Sequence, residues 1–219
     1  MAITLYGAHI SPFVRKVRAA LAYKGLPYDI VFVAPKMGEQ PAEFKANSPL
    51  GKIPLLRDGD LYIPDSSVIC AWLDRQYPNK PLLPSDNVDA VRALWFEEYA
   101  GSVMTTAMGG HLFAEVVLAK LLFNRESLQS DIDKAINEEI PAIFDYLESQ
   151  IAGDYLLASG FSLADIAVGS ISVAMLHSDY HCDAARWPKT ATYLKRLFEG
   201  EVFAPLIADE KALLASFGG

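Results

Sequence analysis

Two short stretches carry residue types that can hold a small charged ligand. Leu50-Gly51-Lys52-Ile53-Pro54 reads as a loop entering a strand, and Ile63-Pro64-Asp65-Ser66-Ser67 as a strand running into a helix start. Proline has no N–H for a β-ladder, so Pro54 marks an entry, an edge or a bend. A cis Ile53–Pro54 bond would turn the N–H and C=O of Ile53 outward, to pair with an extended peptide-like ligand as another strand would. Asp65-Ser66-Ser67 precedes the apolar run Val68-Ile69-Cys70-Ala71-Trp72-Leu73. Hydroxyls and N–H groups at a helix start bind carboxylates, and an acid there accepts an ammonium. A backbone clamp beside a zwitterion site suits a short peptide with a free amino-acid end.

The elements that must position these groups follow from periodicity and turn residues. Ile3-Thr4-Leu5-Tyr6 reads as a buried strand ending at Gly7. A helix is expected from Pro12 to Lys24, with Val14, Val17, Ala20 and Leu21 on one face and Gly25 as C-cap. Arg15, Lys16, Arg18 and Lys24 cover another face, of which Arg15, Lys16 and Arg18 are expected to be solvated or to meet a second copy. Tyr28 to Val33 is a second strand. The polar segment 35–49 is broken by Gly38, Pro41 and Pro49, with one helical turn around Ala42–Lys45. Ile53–Leu56 and Leu61–Ile63 pair through a hairpin at Arg57-Asp58-Gly59-Asp60, and a helix runs from Ser66 to Tyr77. Pro78, Pro81 and Pro84 mark a linker. Beyond it helical patterns run over about 88–124 (interrupted at Gly109-Gly110), 128–151, 163–177 and 188–199. Ser162-Leu163-Ala164-Asp165 has the form of a capping box. Two domains are expected, residues 1–78 (α/β) and 88–219 (all-α), joined by 79–87.

Bulk properties narrow the function classes. The 219 residues are 52% hydrophobic and 21% charged, with a formal net charge of −8. That balance, with no basic block, argues against a nucleic-acid partner. Cys70 and Cys182 are too few for a disulfide framework, which points to a reducing compartment. No secretion signal or membrane span is visible at the N-terminus or elsewhere, so a cytoplasmic globular protein is expected.

A β-α-β-α-β-β-α unit with a proline opening its third strand resembles a thioredoxin-like domain. Joined by a proline linker to an all-helical domain, it resembles the glutathione transferase family over nearly the whole chain. The resemblance is carried by Ser11-Pro12-Phe13, Gly51-Lys52-Ile53-Pro54, Asp65-Ser66 and Phe161-Ser162-Leu163-Ala164-Asp165, in that order. It implies that Ile53, set by Pro54, pairs its backbone with the cysteinyl part of glutathione. Asp65 and Ser66 hold the γ-glutamyl end; Asp65 stands where many members have glutamate and keeps the charge with a shorter reach. Lys52 and Gln40 meet the glycyl carboxylate.

Only the thiolate of glutathione attacks electrophiles well, so a transferase must lower its pKa with a hydrogen bond and nearby positive potential. Ser11, before the N1 proline, matches the catalytic serine of the serine-type branches, where the helix N-terminus adds partial positive charge. The same Ser-Pro pair is also an ordinary helix start. Tyr6 is the alternative, since other branches use a tyrosine at the end of the first strand. A serine rather than a cysteine at position 11 argues against disulfide exchange. His9, Ile10 and Phe13, with Met104, Met108 and His111, are candidates for a pocket taking an apolar electrophile, although Met and aromatic stripes equally serve a core. Tyr99 and Phe113 lie on the same long helix. His177, His181 and Cys182 do not form a convincing metal set at a helix end, and no metal or cofactor is expected, glutathione being a co-substrate. The implied protein is a homodimeric glutathione transferase; the alternative is a non-catalytic carrier or regulatory protein on the same fold.

Overall fold

The computed structural model describes residues 3–35 and 38–217. The chain divides into two compact units, Met1–Leu82 and Leu83–Gly219. The first contains β1 (Ile3–Tyr6), α1 (Pro12–Lys24), β2 (Tyr28–Val31), α2 (Ala42–Asn47), β3 (Leu55–Asp58), β4 (Leu61–Pro64) and α3 (Ser66–Gln76). Its sheet has the order β2-β1-β3-β4, parallel between β1 and β2 and antiparallel elsewhere. The four residues of β1 are buried on both faces, as a central strand requires. This is a thioredoxin-like unit, and the unit after it is helical throughout.

Local chemistry explains the boundaries. α1 starts at the N-cap Ser11 with Pro12 in its first turn and stops at Gly25, whose φ of 69° is the left-handed conformation glycine tolerates. β2 ends two residues earlier than its composition predicts. The chain still follows β1, through Gly7 N–H to Val31 O at 3.0 Å and Val33 N–H to Gly7 O at 3.3 Å. The hairpin turn is tighter than expected: Arg57 and Asp58 belong to β3, and only Gly59 and Asp60 turn. Asp58 stays in the strand because its carboxylate accepts from Trp72 Nε1 at 3.0 Å and from the Tyr77 hydroxyl at 2.9 Å.

The basic face of α1 is where the structure overturns the sequence reading. Val14, Val17, Ala20 and Leu21 are buried as the periodicity requires, yet Arg15, Lys16, Arg18 and Lys24 are buried too. Each is held by an acceptor of the same unit. Arg15 donates to Ile10 O (3.3 Å), Lys16 to Ser67 Oγ (3.0 Å) and Arg18 to the Tyr28 hydroxyl (2.9 Å). Lys24 Nζ meets Asp74 Oδ1 and the carbonyls of Tyr77, Asn79 and Lys80 at 2.8 to 3.2 Å. Long stems let such residues lie against apolar surface while the charged end reaches polar atoms.

The second unit comprises α4 (Asn87–Leu121), α5 (residues 129–150), α6 (Leu163–His177), α7 (Pro188–Glu199) and α8 (Ala204–Phe217). Gly109-Gly110 does not interrupt α4. The helix runs through it in wide turns over Ala100–Leu118, where Ala119 N–H bonds to Ala114 O rather than to residue 115. A Cβ on Gly109 would stand 3.4 Å from Ile171 Cδ1, so the glycine brings α6 close to α4. By length and composition α4 is apolar enough to cross a membrane. Met104, Met108 and Leu112 are nevertheless buried, and α6 packs along it as along a core helix. In α5, Pro141 lacks the N–H that would bond to residue 137, and the preceding turn, Ala135–Glu139, is widened.

Glu115 pins the loop between α4 and α5. Its carboxylate takes both Arg125 terminal nitrogens at 2.6 and 2.7 Å and Leu128 N–H at 2.9 Å. That fork and the backbone donor hold its pKa down at about 2. The expected capping box is present: Ala164 N–H bonds to Ser162 Oγ, and Asp165 reaches back to Ser162 N–H at 2.9 Å. α8 has no counterpart in the sequence reading.

Candidate active site

The Ile53–Pro54 peptide bond is cis. The β3 register begins only at Leu55, opposite Tyr6 on one side and Pro64 on the other, so Ile53 stands outside the ladder. Beside it lies a cavity of about 240 Å³ whose walls include Lys52, Ile53, Pro54, Asp65, Ser66 and Phe13. Five of the residues expected to hold a peptide-like ligand therefore share one concavity. Phe13, expected on an electrophile wall, joins them.

Asp65 is the N-cap of α3 and has φ 74°, an unusual backbone for a residue with a Cβ. Its Oδ1 accepts from Ser67 N–H at 2.8 Å and Val68 N–H at 3.2 Å. One carboxylate oxygen, Oδ1, is thus used in capping. A shorter acid than glutamate is what lets the side chain fold back on its own helix. The loop before the clamp is tied by Ser48 Oγ donating to Lys52 O at 2.9 Å. Ser48, Pro49, Leu50 and Pro64 complete the walls; sequence reading missed Ser48, although a serine beside Pro49 is a common loop-closing residue.

Ser11 is half-buried at the start of α1. Its Oγ accepts from Val14 N–H across 3.4 Å, so capping occupies a lone pair and leaves the hydroxyl proton to donate elsewhere. Tyr6 differs. It is 2% exposed and packs with Val33, Phe44 and Leu55, and its hydroxyl donates to Glu43 Oε2. Burial and the Glu43 carboxylate push the phenol up to about 12. Arg57 closes the group, reaching Glu43 at 3.5 Å and Thr4 Oγ1 at 3.2 Å.

Other candidates lie elsewhere. Gln40 donates to Ala34 O at 2.9 Å, outside the cavity walls. Ile10 is buried and His9 sits half-buried in the β1–α1 turn. In the helical unit Met104 and Met108 are fully buried, closed from solvent rather than lining an open wall. His111 Nδ1 pairs with Glu139 Oε2 at 2.7 Å. His177 and His181 diverge, the first to Glu210 at 2.7 Å and the second to Asp179 at 3.3 Å. A second cavity, of about 290 Å³, is lined by Met175, Tyr180, Cys182, Leu194 and Phe198 among others. Burial pushes the Cys182 thiol up to about 12, so that cavity carries no thiolate.

Comparison with known proteins places this geometry. Residues 5–81 match the family model described as "Glutathione S-transferase, N-terminal domain". The whole chain is 30% identical over 213 residues to glutathione S-transferase Z2 of Arabidopsis thaliana, covering 95% of this chain and 92% of that protein. The chain belongs to the glutathione S-transferase family. Among solved structures, a glutathione S-transferase from Rhodospirillum rubrum superposes with a TM-score of 0.85 at 23% identity, covering 93% of this chain and 91% of that one. At that identity the likeness is one of fold. A glutathione S-transferase from Methylobacterium radiotolerans, solved with glutathione sulfonate, has a TM-score of 0.76 at 26% identity, covering 94% and 95% of the two chains. The family's N-terminal model spans the whole Ile53–Ser66 segment of this chain.

Proposed function

We propose that this protein conjugates the thiolate of glutathione to small apolar electrophiles, in detoxification or catabolism. The observation that carries the reading is the cavity shared by Ile53, cis Pro54, Asp65, Ser66 and, from the first turn of α1, Phe13, with Ser11 two residues before it in the chain. Ile53 would offer its backbone to the cysteinyl unit, Ser66 and the second oxygen of Asp65 the γ-glutamyl zwitterion, and Lys52 a cation to the glycyl carboxylate. Gln40, outside the cavity walls and donating to Ala34 O, would support that end with its second amide N–H. Ser11 would donate its hydroxyl proton to the sulfur, and the N-terminus of α1 would add about half a positive charge, both favouring thiolate. The engagement of the Tyr6 hydroxyl with Glu43 supports Ser11 over Tyr6 in this role. Phe13, Ile10 and His9 would offer apolar and aromatic surface to the electrophile. The chemistry calls for no cofactor beyond glutathione as co-substrate.

We also propose a cytoplasmic homodimer, supported by a cysteine content of two, too low for a disulfide framework, and by large exposed apolar side chains such as Leu50, Val68, Val91 and Trp95. Sedimentation should return twice the 24.0 kDa chain mass; a single chain mass overturns the dimer. The functional test is retention on immobilised glutathione followed by turnover of a generic aromatic electrophile. Retention with turnover is expected. Retention without turnover would identify a carrier or regulatory protein, and no retention would remove the glutathione reading.

A further inference from the structure

We propose that Lys16 and Ser67 form a two-residue relay that holds the α-carboxylate of the γ-glutamyl end of glutathione at the start of α3; this rests on the glutathione reading of the cavity. A bare helix start offers a ligand several N–H groups. Here Asp65 occupies two of them, Ser67 N–H and Val68 N–H. Ser66 N–H is what remains of the first turn for an incoming carboxylate, so further donors are needed to hold the anion firmly.

The Lys16–Ser67 contact supplies one. Lys16 is buried in α1 and crosses to α3, where Nζ lies 3.0 Å from Ser67 Oγ. The direction of this bond is determined by chemistry. An ammonium has no lone pair, so Ser67 accepts and Lys16 donates. The hydroxyl of Ser67 therefore keeps its only proton for another acceptor, and accepting from a cation makes that proton a stronger donor. Ser67 itself is exposed, next in the chain to the cavity-lining Ser66. Lys16 would thus act on the ligand's negative charge through Ser67, which borders the cavity wall at Ser66, without leaving the interior. Ser67 is a binding residue in this scheme and Lys16 a positioning residue.

Binding of two ligands by calorimetry tests the relay: glutathione, and its analogue in which a 4-aminobutanoyl group replaces γ-glutamyl and so lacks the α-carboxylate. Ser67→Ala, an exposed change that keeps the backbone N–H, should weaken glutathione roughly tenfold to a hundredfold and leave the analogue unchanged. Lys16→Met should act in the same ligand-selective way and add little to Ser67→Ala in the double variant. If both ligands weaken equally, or glutathione binds Ser67→Ala as tightly as wild type, the relay is wrong while the site stands. If wild type itself does not bind glutathione, the reading of the site falls and the relay with it.

Discussion

Ser11→Ala should lower turnover of an aromatic electrophile about 10- to 100-fold at neutral pH. The bound thiol titrates about one to two units higher, the worth of one hydrogen bond to a charged group. The sign follows from which form Ser11 favours. In the proposed role its donated proton would stabilise thiolate, so removing it would leave more thiol protonated at neutral pH. The deficit should close as pH rises through the variant's thiol pKa, because both proteins then hold thiolate. The α1 N-terminus survives the substitution and preserves part of the depression. Tyr6→Phe should leave the titration where it is, since that hydroxyl already donates to Glu43. Thiolate absorbance of bound glutathione against pH decides the matter, and an unchanged thiol pKa in Ser11→Ala removes the assignment.

Asp165→Ala is the substitution with the largest expected effect on stability, on the order of 3 kcal/mol. Asp165 is fully buried and accepts from Leu156 N–H at 3.1 Å, Ser162 N–H at 2.9 Å and Ser162 Oγ at 3.2 Å. Its removal strands two buried N–H groups, each worth about 1–3 kcal/mol, and dissolves half of a capping box. Burial raises its pKa from 3.8 to about 6, against the pull of those donors. A raised folded-state value means the group's contribution is fullest below its unfolded pKa and falls as pH rises through its folded one. The stability gap between wild type and Asp165→Ala should therefore narrow between about pH 4 and pH 7. Urea unfolding of both proteins across that range tests this. A gap under about 1 kcal/mol, or one that widens with pH, would show that Asp165 is held otherwise.

What was legible in the chain was local. Ser11-Pro12, the Gly25 cap, Pro54 and the Ser162–Asp165 box each state their conformation within four or five residues, and the structure builds all of them. Pairings across long separations were not legible. The charged side of α1 has the periodicity of a solvated face, and nothing in that periodicity announces Ser67 and Asp74, which cover it from about fifty residues away. The Tyr6 hydroxyl, at the end of β1, has a partner in Glu43, which arrives on α2 and leaves no local signal around Tyr6. Asp58 read as a turn residue because aspartate favours turns, whereas its partners Trp72 and Tyr77 keep it in β3. Met104 and Met108 show the same limit: composition cannot distinguish a pocket from a core, and here both side chains are buried.

Lys24 offers a means of timing how the first unit opens. Its side chain has no accessible surface and its nitrogen faces four oxygens. Amine-acylating reagents need a free lone pair and an approach path, and neither exists while α1 and the segment after α3 stay closed. Lys45 and Lys52 are exposed in the same unit and mark the reagent's unhindered rate. The ratio of the two labelling rates, read residue by residue in a mass spectrometer, converts to the fraction of time the unit spends open.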